Sequence, residues 1–162
     1  MTDDRTVSDV DFSYIADEKA RTLVEQFHSE AAEAFRGGLY IAAVVLSGAT
    51  LEGMLAWALA AREPEAQRRF REKYGKKPPD ERPSPGDWYL PELIVIARSM
   101  DLVGESAKDA AWAVKDFRNL IHPHKLLDRS PPRWRALAKA ALAAIEDIAP
   151  SLAGRLEKGK PS

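Results

Sequence analysis

At 162 residues and a formal net charge of −1, the chain suits one domain with a substantial core, and its overall charge gives no global pull toward nucleic acid. It has no cysteine, which excludes disulfides, thiol nucleophiles and thiolate metal sites and fits a reducing, cytoplasmic setting. Three histidines, His28, His122 and His124, are too few for a histidine-rich zinc site, so no metal and no other cofactor is expected. The distribution of charge says more than its sum. Residues 1–33 carry nine acidic and three basic side chains, whereas residues 115–139 carry seven basic and two acidic.

Residues 1–10 are polar and acidic, unlike a signal peptide, and read as a loose arm. From Phe12 the apolar positions step by three or four through Ala16, Ala20, Leu23, Phe27, Ala31 and Ala34, which predicts an amphipathic helix of about six turns. His28 adjoins that stripe and reads as a structural histidine rather than a ligand. Gly37 and Gly38 end the helix, because glycine accepts the left-handed conformation that closes a C-terminus.

Residues 39–61 are the most apolar stretch, broken only by Ser47, Gly48, Thr50, Glu52 and Gly53. The length would span a bilayer, but the alanine content and Glu52 argue instead for the central helix of a soluble bundle, with no membrane partner. Gly48 and Gly53 would let a neighbouring backbone approach. A carboxylate at position 52 must be paired, hydrogen-bonded or protonated in such surroundings, and Arg118 or Lys115 is the candidate partner.

Residues 62–87 read as a loop region. Ala66, Phe70 and Tyr74 suggest a short helical extension, made basic by Arg68, Arg69, Arg71, Lys73, Lys76 and Lys77. Pro78, Pro79, Pro83 and Pro85 then make residues 75–87 an extended, mobile connection, either a solvated insertion or a substrate-contacting arm. Pro91 opens a third helix through Leu93, Ile94, Ala97 and Met100. Ser106 and Asp109 resemble a capping box that starts a fourth, with the stripe Ala107, Ala110, Val114, Phe117 and Ile121. A last helix begins near Ser130-Pro131 and carries Trp134, Leu137, Ala141, Ile145 and Ile148. Pro150 should kink or end it, and residues 157–162 read as a frayed tail. With no strand pattern, repeat or phosphate-binding glycine loop, the expected fold is a single all-α domain, an up-and-down bundle of four long helices and one shorter one.

The run Lys115-Asp116-Phe117-Arg118-Asn119-Leu120-Ile121-His122-Pro123-His124-Lys125 gathers the chemistry. At 100° per residue, Val114, Phe117 and Ile121 form the apolar stripe, and Arg118, His122, Lys115 and Asn119 share one flank of it. Pro123 disfavours helix at His122, which leaves the imidazole by the last carbonyls, where the helix dipole favours its charged form. Several nitrogen-bearing groups thus converge on a place suited to a phosphate, with His124 and Lys125 just beyond.

Phe117-Arg118-Asn119-Leu120-Ile121-His122-Pro123 resembles the R-N-x-x-H-P signature of one branch of the HEPN superfamily, and residues 39–43 through 51–55 are similar to that family's central helix. Together the two matches bracket residues 39–125. The resemblance implies a helical bundle acting as a homodimer and as a metal-independent endoribonuclease, often in toxin–antitoxin or antiphage systems, with RNA and an antitoxin or defence-system protein as partners. It implies catalytic roles for Arg118, His122 and Asn119, and phosphate or RNA contacts for Lys115, His124 and Lys125. The family's arginine and histidine usually have four to six residues between them. Here Arg118 and His122 have three, Arg118 and His124 five, and Lys115 and His122 six. The alternative reading is a non-catalytic dimerisation or regulatory module, in which Arg118 pairs with Glu52, His122 caps the fourth helix and Asn119 bonds backbone.

Overall fold

The structure is a computed structural model that describes residues 10–105, Trp112 and 133–157. Every regular element among them is helical, so the fold is all-α as expected. In chain order these are α1 (Glu18–Arg36), α2 (Tyr40–Ala60), α3 (Glu63–Tyr74), a 3-10 turn (Pro85–Asp87), α4 (Leu90–Ser99) and α5 (Trp134–Glu157). The expected fourth helix, the start of the last one and the end of the tail lie outside the described residues.

The first helix starts later than the periodicity suggested. Asp17 caps it by accepting the Ala20 amide at 2.9 Å, which satisfies one of the amides left open at a helix start. Phe12 and Ile15 precede the helix in a tight turn, with the Ile15 amide on the Phe12 carbonyl, and both are buried. Their apolar character follows from tertiary packing and not from helical periodicity. The buried stripe within α1 is therefore Val24, His28, Ala31 and Ala32, whereas Leu23 is 48% exposed.

α1 closes as the glycine pair requires. Gly38 takes φ +77°, its amide donates to Phe35, and the Leu39 amide reaches back to Ala34 at 2.8 Å. Only glycine adopts that φ without penalty. The chain then doubles back, so α1 and α2 form an antiparallel helical hairpin, with Phe35 against Tyr40 near the turn and Val24 against Gly53 farther along. A β-carbon on Gly53 would lie 2.7 Å from a Val24 methyl, which shows how closely the two helices approach.

α2 is the hub. It packs against α1, α3, α4, α5 and the 3-10 turn, and buries Leu51, Met54, Leu55, Ala58 and Leu59. The described residues enclose one half of it. At 100° per residue the uncovered half carries Ile41, Val45, Ala49, Glu52, Ala56 and Trp57, all exposed or partly so. Among the described residues α2 is the one helix long and apolar enough to cross a membrane by length and composition, and half of its most apolar window is buried in the fold.

α3 is a helix in its own right. Ala66 and Phe70 seat it on the core, and Gly75 ends it at φ +67°. The proline-rich segment that follows is anchored rather than extended and free. Gln67 donates to the Pro83 carbonyl, Arg82 pairs with Glu92, and Pro85 and Trp88 are buried. Burial of Trp88 against Phe70, ring centroids 4.8 Å apart, gives the prolines a core to pack on. α5 runs through Pro150 to Glu157, where the sequence suggested a break. Proline removes the bond that the Glu146 carbonyl would accept, but both residues lie on the exposed side, where water can satisfy that group. Ile148, Ala149 and Leu152 on the other side hold the helix to the core.

Candidate functional site

Of the residues expected to form a site, Glu52 is within the described part of the chain. Arg118, Asn119, His122, Lys115, His124 and Lys125 lie outside it, so the structure brings none of them together or apart. Glu52 sits midway along α2, on its uncovered half, and lines a groove of about 560 Å³. Phe27 of α1, Ala49, Ala56 and Trp57 of α2, and Ser84, Trp88 and Leu93 are among the other residues that line it. The carboxylate is partly exposed, so its surroundings are wetter than the enclosed helix foreseen from sequence.

Sequence reasoning missed the groove's aromatic walls. Trp88 follows four prolines and belongs to no periodic pattern, so nothing local placed it opposite Glu52. Its indole nitrogen is buried and has no hydrogen-bond partner among the described residues. Phe27 was assigned to the core stripe of α1 and instead lines the groove, partly buried. Among the described residues no group of three or more His, Cys, Asp or Glu is placed to hold a metal ion.

His28 fits the structural role expected of it. It is 5% exposed, its ring meets Phe12 edge-on at 5.7 Å, and neither ring nitrogen has a hydrogen-bond partner among the described residues. Burial holds its pKa below the ordinary histidine value, with Glu146 of α5 opposing that shift. The folded pKa is depressed, so the unfolded chain takes up the proton more readily. Stability is then full above the unfolded pKa of 6.5 and falls as the pH drops below it. Thermal unfolding should therefore show a melting temperature that declines from pH 7 to pH 5. His28→Phe should flatten that decline; an equal slope in the variant would place the titrating group elsewhere.

No family model, curated protein or solved structure matches this chain.

Proposed function

We propose that this chain is a HEPN-like helical domain that cleaves RNA without a metal, in the cytoplasm and in a toxin–antitoxin or antiphage setting. The observation that carries the reading is the run Arg118-Asn119-Leu120-Ile121-His122-Pro123 in the sequence, a chemically coherent set where the apolar periodicity runs out. In the proposed reaction the 2′-oxygen attacks the adjacent phosphorus and loses its proton. The 5′-oxygen leaves and gains one, giving a 2′,3′-cyclic phosphate and a 5′-hydroxyl. His122 serves the proton transfers, because imidazole titrates near neutral pH. Arg118 holds the phosphate through its planar fork, Lys115 adds charge, Asn119 orients the group, and His124 and Lys125 extend the contact to RNA.

One such set is sparse for both acid and base, and a homodimer joining two sets resolves that. The uncovered half of α2, with Ile41, Val45 and Trp57 exposed, gives independent support for a partner surface. Light scattering at micromolar concentration should return about twice the 18.0 kDa chain mass. A monomer across that range would remove the composite site. The up-and-down arrangement of four long helices and one shorter helix belongs to the same proposal, as does recognition by an antitoxin or defence-system protein.

The three-residue gap between Arg118 and His122 favours a second reading, a non-catalytic dimerisation module with Arg118 paired to Glu52. Arg118→Lys separates the two. Lysine keeps the charge and loses the fork, so a catalytic Arg118 predicts cleavage reduced by at least tenfold with the melting temperature nearly unchanged. Lost stability, with no cleavage by the unaltered chain, would support the module instead.

A further inference from the structure

The surface around the end of α3 holds cations that the fold does not use. Residues 68–77 carry six basic side chains and a single acid, Glu72, in a chain whose net charge is −1. Glu72 is taken by Arg68 and Arg69 at 3.1 and 3.4 Å, and Asp80 pairs with Lys77 at 2.8 Å. Arg71, Lys73 and Lys76 are exposed, and no ion pair holds them among the described residues.

Two aromatic rings stand beside these cations. Tyr74 is 38% exposed and rests on Phe70, ring centroids 4.5 Å apart, with Trp88 behind Phe70. Tyr89 is 62% exposed although its neighbours Trp88 and Leu90 are buried. Its backbone is fixed, the amide donating to Glu92 at 2.8 Å, and the Arg82 guanidinium lies 3.9 Å from its ring centre. Glu92 in turn holds Arg82, and Phe70, in contact with both Tyr74 and Trp88, ties the Tyr89 segment to the end of α3. A lone basic run is usually a solvated helix face. Here it is joined to exposed rings on a rigid aromatic backing, a combination that solvation alone does not call for.

We propose that this surface binds single-stranded RNA, with phosphates on Arg71, Lys73 and Lys76 and a base stacked on Tyr89. Free cations answer the phosphates, and an exposed ring answers the π-face that every base presents. A duplex hides those faces, and an acidic peptide has none to offer. This binding does not depend on the cleavage reading and is measured without it.

The test is fluorescence anisotropy of the full-length protein with a labelled 12-nucleotide RNA, 2′-O-methylated throughout so that it cannot be cut. Affinity should fall with salt at a log–log slope of about −2, from three phosphate contacts at roughly 0.7 each. The combined change Arg71→Ala, Lys73→Ala and Lys76→Ala should weaken binding at least tenfold and remove most of that slope. Tyr89→Ala should weaken it about tenfold with the slope kept. A charge-matched control at exposed positions elsewhere, Lys19→Ala with Arg36→Ala and Lys139→Ala, should have little effect. Circular dichroism confirms that each variant is folded. Absence of binding, equal losses in the control, or competition by polyglutamate or anionic vesicles as effective as by RNA would overturn the proposal.

Discussion

His122→Ala should abolish RNA cleavage, whereas His124→Ala should leave most of it. The two imidazoles differ by position. At 100° per residue the sequence would set His122 on one flank with Arg118 and Lys115, whereas His124 follows Pro123, where helical phase no longer predicts direction. A group that moves the proton in the rate-limiting step commonly contributes 10²–10⁴-fold, on the order of 3–5 kcal/mol of barrier, so its loss takes a modest ribonuclease below detection. The measurement is the initial rate on a labelled RNA, with circular dichroism to show that each variant folds. If His124→Ala is the inactivating change, the working pair is Arg118 with His124, with five residues between them, and the assignment of His122 is wrong. If neither change matters, the motif is structural.

The largest expected effect on stability is at Phe70. Its ring is 2% exposed and joins Tyr74 and Trp88, and within α3 only Ala66 is buried with it. Removing it leaves a cavity between α3 and the core and takes the backing from Trp88. Phe70→Ala should cost about 3–5 kcal/mol, as truncation of a buried aromatic does. At about 2–4 °C per kcal/mol for a chain of this size, the melting temperature should fall by roughly 10 °C. Tyr74→Ala, on the same helix but partly exposed, should cost well under half of that. A Phe70→Ala variant as stable as the parent would mean that α3 is not seated on the core.

What could be read from the residues follows the range of the interactions involved. Helix type was legible because apolar spacing is local, and the turn at Gly38 because left-handed backbone selects glycine. Close approach of a neighbour at Gly53 was foreseen because a residue without a side chain leaves room for one, though not that the neighbour is α1. Tertiary packing set the rest. Phe12 and Ala16 open the helical pattern on paper yet precede the helix, which Asp17 caps. Pro150 breaks no helix, because the carbonyl it orphans faces solvent. Trp88 and Pro85 turn a proline-rich connection into part of the core through contacts with Phe70 and α2. At the candidate site, Glu52 was legible as an outlier in an apolar helix. Its groove was not, because the walls come from α1 and from residues 84–93, far apart in sequence.

The central claim, cleavage of RNA by side chains alone, is tested most directly by incubating the purified protein with end-labelled single-stranded RNA in excess EDTA and analysing the ends produced. The expected result is cleavage that EDTA does not diminish, with 2′,3′-cyclic phosphate and 5′-hydroxyl ends. No cleavage, cleavage abolished by EDTA, or products with a 3′-hydroxyl and a 5′-phosphate would contradict it.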